Sequence, residues 1–130
     1  MTEQIATATL VNKDYIELTF LRENITLDVN EVKEGWSKAQ KLSPDKKTAV
    51  LLKTGKWTLL ENEARNYVMN EFKTWPCVAI VVDNLGQRLM GQVVINLTGK
   101  SNQIKLFENE LKAKEWLINK ISKNKFEDRT

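Results

Sequence analysis

Apolar residues fall along this chain in three kinds of run, and each kind predicts a different element. Ile16, Leu18 and Phe20 take every second position between Tyr15 and Leu21, the period of a strand with one buried face. Ile5 to Val11 is a second β-prone run, separated from it by Asn12-Lys13-Asp14, so the two are expected to pair as an antiparallel hairpin. From Cys77 to Val82 the alternation disappears. This apolar run is rich in β-branched side chains and is bounded by Trp75-Pro76 and Asn84-Leu85-Gly86, as suits an inner parallel strand covered on both faces. Thr48-Ala49-Val50-Leu51-Leu52 reads the same way.

Helical spacing fills the intervals. A short extended piece, Ile25-Thr26-Leu27, leads to Asp28 and Glu31, spaced as a capping box, with Leu27 and Val32 placed as a hydrophobic staple. Val29, Val32, Trp36, Ala39 and Leu42 then predict a helix over about Val29 to Leu42, with Trp36 in the core and Ser43-Pro44-Asp45 ending it. Thr58 and Glu61 suggest a second capping box, opening a helix that carries Leu60, Ala64, Tyr67, Val68 and Phe72 on one side. Asn84 and Gln87 open a third, built on the ladder Leu85, Leu89, Val93 and Leu97. There Gly91 costs a helix about 1 kcal/mol relative to alanine, and Val93-Val94-Ile95 would also suit a strand. After a loop at Thr98-Gly99-Lys100-Ser101-Asn102, Ile104 to Phe107 is a short last strand. A final helix over about Glu108 to Ile121 aligns Phe107, Leu111, Ile118 and Ile121, with Leu117 beside them and Trp116 off the stripe.

Strands alternating with helices in this order indicate an α/β fold: a mixed sheet with an N-terminal antiparallel hairpin, parallel inner strands and helices packed on the sheet. At 130 residues the chain is expected to form one domain, with a core over about residues 5–122 and a polar tail at 123–130. The composition, 42% hydrophobic and 28% charged, is that of a soluble globular protein, and no apolar run approaches the roughly 20 residues of a membrane span. The start, Met1-Thr2-Glu3-Gln4, lacks the basic and apolar blocks of a secretory signal, so a cytoplasmic location is expected.

The inventory of reactive side chains narrows the chemistry. There is no histidine, which removes the commonest general base, the usual nucleophile pairings and most zinc or iron sites. The single cysteine, Cys77, opens the buried strand and reads as a small core residue. Glu61/Glu63 and Glu108/Glu110 are two residues apart and diverge on a helix, so they are poor candidates for paired-carboxylate or metal chemistry. No enzyme, cofactor or metal is therefore expected; if there were catalysis, Asp83 is the residue to nominate. The formal charge of +3 is mild. The lysines are scattered among acids except at Lys46-Lys47, Lys53 and Lys56, and Lys120, Lys123 and Lys125, which argues against nucleic acid as a partner.

In open α/β sheets, ligands gather outside the carboxyl ends of the strands. Two such ends here are Lys53-Thr54-Gly55-Lys56 and Asp83-Asn84-Leu85-Gly86. If the strands are neighbours, Lys53, Lys56, Thr54, Asp83 and Asn84 share one rim, with two glycines allowing close backbone approach and two helix N-termini favouring an anion. A turn, two caps and a surface ion pair would use the same residues. Neither glycine belongs to a Walker loop or a dinucleotide fingerprint.

The buried Val78-Ala79-Ile80-Val81-Val82 strand, the helix with Leu85-Gly86-Gln87-Arg88-Leu89-Met90-Gly91, and Lys105-Leu106-Phe107 followed by Ala113-Lys114-Glu115-Trp116-Leu117 resemble the SpoIIAA-like group. That group belongs to the superfamily of STAS domains. The motif-level likeness covers about residues 77–120, and element order extends it over the chain. The resemblance implies a non-enzymatic module that docks on a partner protein. In signalling members, a serine or threonine at the start of a helix after an inner strand is phosphorylated to release that partner. The corresponding segment is Thr54 to Thr58, with Thr54 and Thr58 as candidate phospho-acceptors, although Lys53-Thr54 stands where those members have Asp-Ser. A second branch of similar domains resembles CRAL-TRIO lipid exchangers and implies an apolar ligand between the sheet and the helix of Leu89, Met90 and Val93.

The leading expectation is a cytoplasmic interaction module that binds another, unidentified protein through Thr54 to Thr58 and Asn84 to Arg88. Lys53, Lys56, Trp57, Asp83, Asn84 and Arg88 are its contact candidates, with Trp57 the preferred anchor. The alternative, a carrier of a small apolar ligand or lipid, calls for a closed apolar cavity of a few hundred cubic ångströms under the third helix.

Overall fold

The structure is a computed structural model that describes residues 4–99 and 102–127, with side chains to residue 122. Its hairpin is β1 (Ala6–Val11) and β2 (Tyr15–Phe20), antiparallel, with Ala6 opposite Phe20 and Val11 opposite Tyr15. Asn12 and Lys13 turn it in the left-handed region (φ 51° and 62°). β3 (Thr26–Leu27) leads into α1 (Val29–Leu42). The Asp28 carboxylate accepts from the Glu31 N–H at 2.9 Å and the Glu31 carboxylate from the Asp28 N–H at 3.0 Å, so the capping box is complete. Then come β4 (Ala49–Lys53), β5 (Leu59–Leu60), α2 (Asn62–Thr74), β6 (Val78–Val81), α3 (Leu85–Thr98), β7 (Ile104–Phe107) and α4 (Glu110–Glu127).

The main sheet has the order β1-β2-β4-β6-β7, parallel after the hairpin, and β4 lies against β6 with Val50 opposite Val78 and Lys53 opposite Val81. The two water-free inner strands therefore run side by side in one direction. Each new strand is added on the same side of the last, so right-handed crossovers place every connecting helix on one face. There α1, α2 and α3 meet Ile16, Leu18, Val50, Leu52, Val78 and Ile80 in the larger core cluster. Trp36 is fully buried in it, edge-on to Phe72 at 5.9 Å and beside Trp75 at 6.2 Å. α4 follows the last strand and covers the other face, where Ala113 and Leu117 pack on Tyr15, Ala49, Leu51, Cys77 and Ala79. The inner strands lack alternation because both faces are covered.

The fold is the α/β arrangement expected from the sequence, with four local corrections. Thr58 and Glu61 do not form a capping box: Leu59 and Leu60 make a strand that pairs in parallel with Thr26 and Leu27 in a separate small sheet, and Glu61 is the N-cap of α2 without a side-chain bond. In α3 the ladder Leu85, Leu89, Val93 and Leu97 faces solvent, and Gln87, Val94 and Ile95 are the buried residues. In α4, Leu111 and Ile118 are exposed, while Trp116, placed off the stripe, packs on Phe107 at 5.7 Å. α4 also continues past its expected end at Ile121 to Glu127; the side chains of Lys123 and Lys125 and residues 128–130 lie outside the described residues, as do Lys100 and Ser101 of the preceding loop. Among the described residues no helix is long and apolar enough to cross a membrane.

Candidate functional site

The rim beyond β4 and β6 is a loop held from three sides. At Gly55 a Cβ would collide with the Arg22 carbonyl, so only glycine lets the two backbones meet there. The Thr58 hydroxyl donates to the same carbonyl at 2.7 Å, and the Asn24 N–H donates to the Lys56 carbonyl at 2.9 Å. From α3, the Gln87 amide donates to the Gly55 carbonyl at 3.0 Å and the Thr58 carbonyl at 3.1 Å, while its oxygen accepts from the Asp83 N–H at 2.7 Å. Gln87 is buried, and one side chain thus joins the segments after both inner strands. From its spacing alone Gln87 is the partner of Asn84 in a capping box, with no sign of the bonds to Gly55 and Thr58. The forward half of that box exists, with the Gln87 N–H on the Asn84 Oδ1 at 2.9 Å, but the return bond goes to Asp83.

Trp57 stands at the top of this braced loop. It is 62% exposed and holds φ at 59°, a left-handed conformation that costs a residue with a Cβ about 1 kcal/mol or more. Such strain persists only where the surroundings over-determine the backbone, as the bonds on either side do here. Lys56, beside it in sequence, and Asp83, after β6, are exposed, and Thr54 and Asn84 are half-buried. Thr58 is buried with its hydroxyl engaged, so a phosphate there would have to break the bond to Arg22.

The other two charged candidates point elsewhere. Lys53 lies on the α4 face of the sheet, 2.6 Å from Glu17 and 3.0 Å from Glu110, and Lys114 reaches Glu110 at 3.0 Å. Burial works to lower the Lys53 pKa, but its hydrogen bonds to Glu17 and Glu110 outweigh that and hold it above the ordinary value. Hydrogen bonds from Lys114 and Lys53 hold the Glu110 carboxyl below its own ordinary value. Arg88 pairs with Glu108 at 2.8 Å. Of the two lysines in the expected anion site, Lys53 is thus matched by carboxylates, as is the neighbouring contact candidate Arg88. The site also has one helix N-terminus, that of α3, in place of two, because α2 starts only after β5.

Behind the rim, between α2, α3 and the ends of β4 and β6, is an apolar cavity of about 70 Å³. Leu52, Phe72, Ile80, Met90 and Val94 line it, and Thr54, Thr58 and Gln87 border it. Gly91 also lines it and lets α3 lie close to β7, since a Cβ would meet a Leu106 methyl at 2.9 Å. Met90 faces this space as expected, whereas Leu89 and Val93 face outward.

A family model described as a domain of unknown function, DUF7793, matches residues 6–121. The chain belongs to this family. A solved structure similar to this DUF7793 chain is an uncharacterised protein of the DUF3478 family with a SpoIIAA-like fold, from Shewanella loihica PV-4. The TM-score is 0.60 at 16% identity, over 90% of this chain and 98% of that one. The fold of the DUF7793 chain is therefore SpoIIAA-like, and at that identity the likeness extends to the fold alone. No curated protein matches the sequence.

The one cysteine of the DUF7793 chain is buried under α4, and burial pushes its thiol up to about 11. A raised pKa keeps the thiol protonated at neutral pH. Alkylation of Cys77 by iodoacetamide at pH 7.5 is thus expected to run at least about 100-fold slower in the native protein than in urea, read by intact mass. Equal rates would remove Cys77 from the core.

Proposed function

We propose that this chain is a non-catalytic, cytoplasmic regulatory module that docks on another protein through the rim of residues 54–58 and 84–88. The exposure of Trp57 carries the reading. A large aromatic side chain held out on a braced, strained loop is a ready anchor, because the backbone entropy of the loop is already spent before binding. Leu59, two residues on, is also exposed and adds to the apolar surface, and Lys56 supplies a charged margin. Thr54, half-buried at the loop's start, is the more accessible of the two candidate phospho-acceptors.

The test is capture of partners from the host with the wild-type chain and with Trp57→Ala. The substitution is expected to lower retention of a specific partner at least about 10-fold, the effect of losing an anchor, and to leave the melting temperature within about 2 °C. Equal recovery would count against this surface.

The cavity under α3 supports a second reading, a carrier of a small apolar ligand. Its volume of about 70 Å³ would hold a fragment of a few heavy atoms, well short of the roughly 300 Å³ at which ordinary ligand sites begin. Native mass spectrometry of protein from its own host separates the readings. The bare chain mass is expected for the docking module, and a retained small molecule would favour the carrier.

A further inference from the structure

We infer that two copies of this chain associate through α3, antiparallel and about a two-fold axis, along the stripe of Leu85, Leu89, Val93 and Leu97. Each of these side chains is more than half exposed, from 53% to 68%, and they are spaced four apart on one helix of 14 residues. Together they leave on the order of 450 Å² of apolar surface in water, the size of the largest patch on a typical monomer, which is often a functional surface.

The character of the patch selects its occupant. In a chain that is 28% charged, a segment of this length would carry about four charges; α3 has one, Arg88, and it is paired with Glu108 at 2.8 Å. A helix that lies on a membrane surface flanks its apolar stripe with lysine and arginine, and this one does not. A foreign partner is normally selected by complementary charge, and the stripe offers none. An uncharged ladder is complementary to itself: a second copy brings no like charge against it and matches its spacing. Rows of side chains four apart interdigitate at a crossing angle of about −50°, which sets Leu89 of one copy against Val93 of the other, with Leu85 and Leu97 at the two ends. The Gln92 amide, bonded to the Asn96 side chain at 3.0 Å, forms a polar flank. The area also fits. A stable interface buries about 800 Å² per partner, of which 56–65% is apolar, and the stripe supplies roughly that apolar share.

The inference is tested apart from the Trp57 rim at Leu89 and Val93, which lie on the opposite side of α3 from Gln87, the residue that holds that rim; Leu85 alone belongs to both. Sedimentation velocity of the full chain from about 5 µM to about 500 µM tests it. The wild type is expected to move from a 15.0 kDa species toward twice that mass. Leu89→Lys and Val93→Glu, each at an exposed position and checked by an unchanged melting temperature, should each weaken dimerisation at least about 10-fold. The double variant, which sets lysine against glutamate in both halves of the two-fold, should recover it, and Trp57→Ala should leave it unchanged. A wild-type chain monomeric throughout, whether or not its stripe binds vesicles or a foreign protein, would overturn the inference. A dimer that survives Val93→Glu would do the same, and failure of the double variant to recover would overturn the antiparallel register.

Discussion

Gln87→Glu is expected to destabilise the protein by about 4 kcal/mol at pH 7, although it exchanges one side-chain nitrogen for an oxygen. The amide group it replaces donates to the carbonyls of Gly55 and Thr58, at 3.0 and 3.1 Å, in a buried position. A carboxylate has no proton to donate, so an anionic oxygen would face two carbonyl oxygens without water between them. Gln87→Leu removes the donors without adding charge and should cost less, about 2 kcal/mol, because the Asp83 N–H and the Thr58 carbonyl lose a partner. For a chain of this length the first figure corresponds to a melting temperature lower by about 15 °C and the second by about 7 °C. The sign of the pH dependence separates the two variants. The native site disfavours the charged form of the introduced carboxyl, so its pKa is raised above the unfolded value of about 4.3. The Gln87→Glu deficit should then be smallest below that pH and grow as pH rises through the folded pKa. The Gln87→Leu deficit should stay flat. Thermal melts between pH 4 and 8 check this, together with amide exchange at Thr58, whose N–H bonds the Gly55 carbonyl at 3.3 Å and should exchange faster in both variants. A Gln87→Glu protein as stable as wild type at pH 7 would mean that the clasp does not hold the loop.

What could be read beforehand was whatever is decided by near neighbours. The Asp28 and Glu31 box closes within one turn of helix, so α1 begins and ends where the residues indicate. The hairpin is set by alternation, and the inner strands by its absence. The misreadings share another property: their cause lies far along the chain. Thr58 and Glu61 have the spacing of a capping box, but the Thr58 hydroxyl goes to Arg22, 36 residues away, and the backbone continues as a strand because Thr26 and Leu27 are there to pair with it. α3 carries two candidate stripes. The ladder of large aliphatic residues is the more obvious, yet the buried side includes Gln87 and Gly91, whose value is visible only once the loop carbonyls and Leu106 are in place. Lys53 and Arg88 looked available for a ligand for the same reason. Their carboxylates come from Glu17, Glu108 and Glu110, on other elements. Trp57 could be nominated from its setting between a lysine and a threonine, but its exposure depends on a left-handed backbone that no local signal announced.

The ion pair of Lys46 and Glu71, 25 residues apart, escaped the sequence altogether and carries the second large expected effect. Glu71 is buried in the last turn of α2, an unfavourable place for a carboxylate at the negative end of a helix dipole. What holds it there is the Lys46 ammonium at 2.7 Å, with the Thr74 hydroxyl at 3.4 Å and the Tyr67 hydroxyl at 3.4 Å. Lys46 itself sits at φ 53° in the turn after α1, where Ser43 accepts from the Lys47 N–H at 3.2 Å and from the Thr48 hydroxyl at 3.0 Å. Glu71→Ala leaves the ammonium against the Trp75 ring with no carboxylate, and should cost about 3 kcal/mol, the lower end for breaking a buried pair because Lys46 can swing partly into water and the helix end is relieved of a misplaced charge. Replacing both partners with apolar residues of similar size, Lys46→Met with Glu71→Leu, removes the desolvation cost of two charges along with their attraction, and should return stability to within about 1 kcal/mol of wild type. A urea-unfolding cycle over the two single variants and the double measures the coupling directly. If the double variant is as unstable as Glu71→Ala alone, the pair is a net source of stability; if Glu71→Ala costs less than about 1 kcal/mol, the ammonium is not held by this carboxylate at all.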